Sequence, residues 1–165
     1  MILNTRQATT NDAIALNDLL NAIIDAGGTT AHQTPFDPKR IERHYISPPR
    51  LVSCVVAEFD GQIAGFQSLI WPDEDGDPFP DGWAIIASFV DADMTGKGVG
   101  RALFTATRAA ANAVGVRVID ATIRADNSGG LAYYSALGFV DYDVLPAVPM
   151  RDGRQIDRLR KKLDL

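Results

Sequence analysis

A glycine-rich turn between an apolar run and a helical pattern constrains the fold of this chain more than any other segment. The turn covers residues 95–101 (TGKGVGR), the apolar run covers 83–90, and a helical pattern follows from 102 to 114, closed by Gly115. The apolar residues of that pattern are Leu103, Ala106, Ala110 and Ala113 or Val114. A strand, such a turn and a helix leave free amides at the helix N-terminus, where the helix dipole favours anions. The sequence therefore predicts that a phosphorylated cofactor binds here.

The spacing of the glycines separates this turn from two common phosphate-binding loops. The dinucleotide-binding loop has the pattern Gly-x-Gly-x-x-Gly, whereas the third glycine here, Gly100, comes one residue early. The P-loop ends in Gly-Lys-Ser/Thr, whereas Lys97 is followed by Gly98. A nucleotide-binding domain or kinase stays as an alternative, which predicts that ATP or NAD stabilises the chain more than CoA does.

The turn resembles the acyl-CoA pyrophosphate loop of the GCN5-related N-acetyltransferase (GNAT) family, whose core is Arg/Gln-x-x-Gly-x-Gly/Ala. Gly98-Val99-Gly100 matches this core, and Thr95 stands where the family usually has Arg or Gln. A second segment, residues 127–139, resembles the family signature Asn-x-x-Ala-x-x-x-Tyr-x-x-x-Gly-Phe, with Gly130 in place of the usual Ala. The resemblance covers residues 83–145 well and the N-terminal half more loosely.

Two further segments are similar to the phosphinothricin acetyltransferase branch of this family. They are residues 27–35 (GGTTAHQTP) and residues 152–157 (DGRQID). The resemblance implies an α/β protein with the GNAT fold, in which a mixed, mostly antiparallel central sheet is flanked by about four helices. It implies acetyl-CoA as the cofactor and a small-molecule amine, such as an amino acid or an analogue, as the acceptor. A homodimer is a further expectation from this resemblance.

Hydrophobic periodicity and turn residues outline the elements. Strands are predicted at Ile2–Ala8, Leu51–Phe59, Gln62–Trp71, Trp83–Val90, Arg117–Arg124, Phe139–Leu145 and Arg154–Leu163. Helices are predicted after the cap Thr10-Asn11-Asp12, over Phe36–Ile46, and over residues 102–114 and 128–137. The buried side of the first helix is assigned to Ile14, Leu16, Leu19, Leu20, Ile23 and Ile24. Asp60-Gly61 predicts the turn of a β-hairpin.

Composition and charge limit the class of protein. With 165 residues, of which 46% are hydrophobic, the chain suits a single domain over residues 1–165, and the resemblance implies that this is an acetyltransferase domain. Its net charge of −5 gives a nucleic-acid partner no electrostatic support. No run has the pattern of a membrane span or a signal region, so we expect no membrane partner and a cytoplasmic location. The acidic run 73–82 is interpreted as a solvated loop, and no metal site is expected.

The resemblance assigns the cofactor to the glycine-rich turn and to the end of the strand before it. Backbone groups of the strand would pair with the pantetheine, and an amide at or next to Val90 would face the thioester carbonyl. The cofactor-binding residues expected on this basis are Phe89, Val90, Thr95, Gly96, Lys97, Gly98, Val99, Gly100, Arg101 and Asn127. A helix N-cap is the alternative role of Asn127.

Tyr134 is the candidate general acid, because it lies four residues before Gly138, as the tyrosine of the family signature does. A phenol with a pKa of about 10 can protonate a departing thiolate within hydrogen-bond reach. The alternative is that Tyr133 and Tyr134 form a half-buried aromatic pair on a helix. Tyr133 is expected to be a core or rim residue.

The general base is not evident from the sequence. Relatives of the phosphinothricin type place a glutamate at the strand position that Ile85 occupies, and residues 83–90 hold no carboxylate. Four residues elsewhere could act as the base, namely Asp81, Asp91, His32 and His44. Thr29 and Thr34, together with Thr30 and His32, could line the acceptor pocket or belong to a solvated loop.

The absent strand carboxylate and Thr95 leave a second function open. In this alternative, the chain is a non-catalytic acyl-CoA-binding sensor or interaction module. Binding of acetyl-CoA without turnover of any amine would favour it.

Overall fold

The computed structural model describes residues 2–165, which form a seven-stranded sheet and four α-helices. The strands are β1 Leu3–Gln7, β2 Leu51–Phe59, β3 Gln62–Ile70, β4 Trp83–Val90, β5 Val118–Arg124, β6 Val140–Pro149 and β7 Gln155–Asp164. The helices are α1 Ala13–Ala26, α2 Pro38–Ile41, α3 Val99–Ala113 and α4 Ser128–Ala136. A π-helical turn (Glu42–Ile46) extends α2, and 3₁₀ turns (Thr10–Asp12 and Ala92–Met94) precede α1 and α3. None of the helices in this range is long and apolar enough to cross a membrane.

The strands lie in the order β1-β2-β3-β4-β5-β7-β6, and every neighbouring pair is antiparallel except β4 and β5. The parallel pair is short, since only Trp83–Ile85 of β4 pair with Val118–Asp120 of β5. Beyond these residues the two strands separate, so the sheet opens between their carboxyl ends. The mixed, mostly antiparallel sheet with about four helices that the sequence predicts is confirmed.

Local sequence explains where several elements begin and turn. The Asp37 carboxylate accepts a hydrogen bond from the Arg40 amide (2.8 Å) and caps α2, whose first residue is Pro38. Asp60 and Gly61 both have positive φ (49° and 83°) and form the tight turn between β2 and β3. The predicted hairpin is therefore confirmed.

Alternation along the strands sends side chains to two faces of the sheet. On the face covered by α1, which we call the α1 face, buried side chains of α1 and the α2 region (Leu16, Leu20, Phe36 and Tyr45) pack on Phe66 and Phe89 of the sheet. On the opposite face, which we call the α3 face, α3 and α4 cover a second cluster (Ala84, Ile86, Phe104, Ile119, Tyr134 and Phe139). Along β4, Ile85, Ala87 and Phe89 therefore belong to the α1 face, and Ser88 belongs to the α3 face.

The structure corrects three details of the predicted helices and strands. Helix α3 begins at Val99 rather than Ala102, and its buried residues are Val99, Leu103, Phe104, Thr107 and Ala111. Residues 113 and 114 are exposed, because they lie away from the buried side of α3, on which these residues repeat about every four positions. Ile14 is 67% exposed, because it lies two residues before the buried Leu16 and hence on the opposite side of α1. Strand β6 continues to Pro149, because its pairing with β7 extends to Gln155.

Candidate active site

A cleft of about 720 Å³ opens where β4 and β5 separate. Its walls come from α1, the end of β4, the first turn of α3, and α4. Residues that line it include Leu19, Ile23, Ser88, Phe89, Val90, Gly98, Gly100, Arg101, Asn127 and Tyr133. The cleft therefore joins an open strand edge to the N-terminus of a helix, a combination that suits a ligand with an extended part and an anionic part.

The end of β4 presents backbone groups that a ligand can use. The Asp91 amide donates to the Ala64 carbonyl (2.8 Å), so the backbone groups of Asp91 and of Phe89, two residues earlier, face β3. Those of Ser88 and Val90 face the other side, where β5 has separated from β4. An extended chain can add to this edge by main-chain hydrogen bonds, and the Val90 amide is directed into the cleft.

The glycine-rich turn leads directly into the first turn of α3. Gly96 and Gly98 have positive φ (80° and 82°), a conformation that glycine adopts without strain, and both have open space where a Cβ would be. The first amides of α3 have no acceptor within the helix, and the helix dipole adds partial positive charge. Arg101 lines the cleft at this end, whereas Lys97 is exposed outside it. The turn therefore fits a pyrophosphate, which these amides and Arg101 would hold.

Gly100 and Tyr133 join α3 to α4. A Cβ at position 100 would lie 2.6 Å from Tyr133 Cε1, so only glycine fits against this ring. The Tyr133 hydroxyl donates to the Gly100 carbonyl (2.7 Å) and accepts from Gln67 Nε2 (3.0 Å). Tyr133 thus lines the cleft and holds the first turn of α3 in place.

Tyr134 belongs to a different network on the α3 face. Its hydroxyl lies 2.7 Å from Ser88 Oγ, and Gln67 Nε2 donates to the same Oγ (2.8 Å). Ser88 lines the cleft, whereas Tyr134 lies behind it and is only 6% exposed. Burial raises the pKa of Tyr134, so its hydroxyl keeps its proton at neutral pH. Either hydroxyl can donate in this pair; when Tyr134 donates to Ser88, the Ser88 hydrogen remains to be donated to a group in the cleft.

Asn127 links α4 to the loop between α1 and α2. Its Oδ1 accepts from the Gly130 amide (2.9 Å), and its Nδ2 donates to the Thr29 carbonyl (3.2 Å). The side chain therefore caps α4 and at the same time holds residue 29 beside the cleft. A Cβ at position 130 would lie 2.5 Å from Asn127 Nδ2, so an alanine there would require the Asn127 side chain to shift.

The rest of this loop is held over the carboxyl ends of the strands. The buried Arg124 side chain donates to the Thr30 carbonyl (3.1 Å). Arg151 donates to the Thr34 hydroxyl (3.1 Å), so this hydroxyl is engaged outside the cleft. Of the two threonines assigned to the acceptor, Thr29 lines the cleft and Thr34 does not.

The four candidate bases lie in separate places. Asp91 lines the cleft, where its side chain accepts from the Asp93 amide (2.9 Å) and caps a 3₁₀ turn. Asp81 precedes the amino end of β4, away from the cleft, and its carbonyl accepts from Arg117. His32 Nε2 lies 2.5 Å from the Tyr45 hydroxyl, within an aromatic cluster that includes His44. Burial and the nearby positive charges lower the pKa of His32 to about 4, so its ring is neutral at pH 7.

A buried carboxylate that the sequence analysis did not single out lies beside Ile85. Asp120 of β5 is the register partner of Ile85 and is 1% exposed. Its carboxylate accepts from the Tyr142 hydroxyl and the Thr122 hydroxyl (3.0 Å) and lies 3.5 Å from Arg160 Nε. Burial raises the pKa of Asp120, although these partners favour its ionised form.

Most of the predicted cofactor residues come together at the cleft. They are Phe89, Val90, Thr95, Gly96, Gly98, Val99, Gly100, Arg101 and Asn127. Lys97 is exposed, and Tyr134 lies behind Ser88. The sequence alone did not identify Gln67 or Asp120. Each is a polar residue with mainly apolar neighbours in a predicted strand, which is the signal that could have identified them.

Known proteins of the GNAT family are similar to this chain in sequence. Residues 16–139 match the model of the acetyltransferase (GNAT) family. The mycothiol acetyltransferase of Propionibacterium freudenreichii subsp. shermanii is 32% identical over 123 residues, which are 70% of this chain and 38% of that protein. The chain thus spans well under half the length of this relative.

Solved structures share the fold over nearly the whole chain. A GNAT superfamily phosphinothricin acetyltransferase from Sinorhizobium meliloti, in complex with acetyl-CoA, has a TM-score of 0.82 at 20% identity, over 100% of this chain and 89% of that one. A ribosomal-protein-alanine N-acetyltransferase from Brucella melitensis has a TM-score of 0.81 at 25% identity, over 98% and 99%. Acetyl-CoA is the cofactor of this family, and its pantetheine and pyrophosphate match the two parts of the cleft. By its family match, its sheet and its cleft, this chain belongs to the GNAT family of acetyltransferases.

Proposed function

We propose that this chain is an acetyl-CoA-dependent N-acetyltransferase that acts on a small-molecule amine, with Tyr134 as the general acid. The observation that carries the proposal is the cleft where β4 and β5 separate, because it joins the open edge of β4 to the N-terminus of α3. Acetyl-CoA, when bound, supplies an acetyl group activated as a thioester. The residues of the chain then have to hold it, stabilise developing charge and move protons.

Backbone groups, together with Arg101, hold the cofactor and stabilise the developing charge. The amides at the start of α3, with Arg101, hold the diphosphate, and the free edge at Ser88 and Val90 pairs with the pantetheine. The Val90 amide then faces the carbonyl oxygen on which negative charge develops. A fixed donor at this position stabilises the transition state more than the ground state.

The Ser88–Tyr134 pair performs the proton transfer to the leaving sulfur. Tyr134 is the general acid, and its pKa, raised by burial, keeps the proton on the hydroxyl until a thiolate forms. Gln67 fixes the pair by donating to Ser88 Oγ (2.8 Å). One hydroxyl hydrogen of the pair is thereby available at the wall of the cleft.

The acceptor amine enters on the α1 face, beneath the loop of residues 27–37. Arg124, Asn127 and Arg151 tie this loop down over the strand ends, which favours a small acceptor over a folded protein surface. Thr29 lies at the cleft, where it can contact the acceptor, whereas Thr34 supports the loop through Arg151. The solved relatives include enzymes named for phosphinothricin and for the alanine of a ribosomal protein.

A direct test measures thiol release from acetyl-CoA with a panel of amines, followed by mass spectrometry of the product. The panel contains the common amino acids, phosphinothricin, simple primary amines and a peptide that begins with alanine. We expect at least one small amine to gain one acetyl group, with release of one thiol per acetyl. Binding of acetyl-CoA without transfer to any member would instead favour the sensor or interaction module, and transfer to the peptide alone would contradict a small-molecule acceptor.

A further inference from the structure

A polar group on β5, next to the place where β4 and β5 separate, has no part yet in the proposed function. Thr122 lies on β5 just beyond Asp120, the last residue paired with β4, and its side chain is exposed. By alternation it shares the α1 face with Asp120 and with Ile85 and Ala87 of β4, which are half-buried. The Thr122 hydroxyl is therefore on the side of the sheet from which the amine approaches.

The hydrogen bond to Asp120 fixes what this hydroxyl can do. Thr122 Oγ1 donates its hydrogen to Asp120 Oδ2 (3.0 Å), so the oxygen lone pairs of Thr122 remain to accept from a ligand. An amine or ammonium group is a donor that these lone pairs can receive. Asp120 itself is 1% exposed and can therefore reach the ligand only through such a hydroxyl.

The groups that face Asp120 favour a carboxylate that is ionised yet able to take up a proton. Tyr142 of β6 donates to it, and Arg160 of β7 lies 3.5 Å away. Its register partner on β7 is Lys162, whose ammonium group pairs with Asp164 (3.2 Å). From β4 the register partner is the uncharged Ile85. Burial opposes the ionised form and raises the pKa of Asp120 above that of an exposed aspartate, which makes this carboxylate a stronger base.

We propose that Asp120, acting through the Thr122 hydroxyl, receives a proton from the acceptor amine. This inference rests on the proposed function. Thr122 would touch the acceptor, and Asp120 would be a positioning residue that also stores the proton. β5 would thus supply the carboxylate that β4 lacks at Ile85.

Groups already described account for every proton and electron pair in the reaction. An ammonium acceptor gives one proton to Thr122 Oγ1 while the Thr122 hydrogen moves to Asp120 Oδ2, which leaves a neutral amine. The nitrogen electron pair forms the bond to the acetyl carbon, and the carbon–sulfur bond breaks with its electron pair on sulfur. The Ser88–Tyr134 pair gives a proton to sulfur, and the second nitrogen proton replaces it. Asp120 then returns its proton to solvent through the Thr122 hydroxyl.

The test compares Thr122→Val with Thr122→Ser, because residue 122 is exposed and both variants should fold. The probe is acetyl-CoA with the fastest acceptor of the amine panel, and kcat/KM is measured from pH 6 to pH 10. We expect Thr122→Val to lose about 100-fold at pH 7, within the usual range of general acid–base contributions. The loss should shrink as pH rises towards the pKa of the amine, because the free amine then forms without a base. Thr122→Ser keeps the hydroxyl and should stay within about threefold of wild type.

Asp120→Asn gives a second measurement, with the same recovery at high pH expected and the melting temperature recorded to check folding. If Thr122→Val loses the same factor in kcat/KM at every pH, or loses none, the inference is overturned and the proposed function is unaffected. Wild-type chain that binds acetyl-CoA but acetylates no amine would overturn both. The two failures are therefore distinguishable.

Discussion

Tyr133 and Tyr134 are neighbours in the chain, yet their hydroxyl groups lie in different networks. Tyr133 bonds the Gly100 carbonyl and so supports the start of α3, whereas Tyr134 bonds Ser88 at the wall of the cleft. Gln67 connects the two networks, because its amide donates to both Tyr133 and Ser88. The adjacent positions therefore allow the contribution of proton transfer to be separated from that of packing.

Tyr134→Phe keeps the ring and removes only the hydroxyl. Because general acid–base groups contribute roughly 10²–10⁴-fold, we expect kcat to fall by at least about tenfold. The dissociation constant for acetyl-CoA should change little, and unfolding free energy should fall by no more than about 1–2 kcal/mol, the scale of one hydrogen bond. Steady-state kinetics, calorimetric titration with CoA and urea unfolding measure the three quantities.

Tyr133→Phe is the matched control for this variant. It removes the donor to the Gly100 carbonyl, so it should weaken CoA binding a few-fold while kcat stays close to that of wild type. Equal and small effects on kcat at both positions would remove Tyr134 from the mechanism and assign the proton to water.

At the scale of elements, the junction of α3 and α4 depends on a close approach that only glycine permits. In Gly100→Ala the new methyl group would meet the Tyr133 ring at 2.6 Å. We expect a loss of about 1–3 kcal/mol of stability, as for overpacked cores, together with weaker acetyl-CoA binding because the first turn of α3 shifts. Urea unfolding and calorimetric titration measure these two effects.

Gly129→Ala is the control, because it also places alanine for glycine near the N-terminus of a helix beside the cleft. Its Cβ would meet only Asn127 Oδ1, at 3.9 Å. Alanine is the better helix former by roughly 0.5–1 kcal/mol, so this variant should match or exceed the stability of wild type. If Gly100→Ala is as well tolerated as Gly129→Ala, the close packing of Tyr133 on α3 is not needed.

The elements of the fold were largely predictable from the sequence, and their long-range arrangement was not. The Asp60-Gly61 turn and the glycines before α3 carry local signals, because only certain residues adopt their backbone angles. The separation of β4 from β5 has no such signal, since pairing between distant strands is decided by tertiary packing. For this reason the contact of Ser88 with Tyr134 and the pairing of Asp120 with Ile85 are evident only once the strands are assembled.

At the scale of the whole molecule, the proposed mechanism assigns two kinds of proton transfer to opposite faces of the sheet. Tyr134, through Ser88, lies on the α3 face, and Asp120, with Thr122, lies on the α1 face. The cleft between β4 and β5 is lined by residues from both faces of the sheet. In this mechanism, an acetyl group held in the cleft would have the proton donor on one side and the amine on the other. The group that gives a proton to sulfur and the group that takes one from the amine are thus kept apart by the sheet.

Binding of acetyl-CoA in this cleft is the central claim, and the melting temperature of the wild-type chain tests it directly. A ligand at 100 times its dissociation constant adds about 2.7 kcal/mol to the stability of the folded state. For a chain of this length each kcal/mol raises the melting temperature by roughly 2–4 °C. We therefore predict a rise of about 5–10 °C with saturating acetyl-CoA, and a much smaller one with ATP or NAD. No rise with acetyl-CoA, or a larger rise with ATP or NAD, would contradict the account.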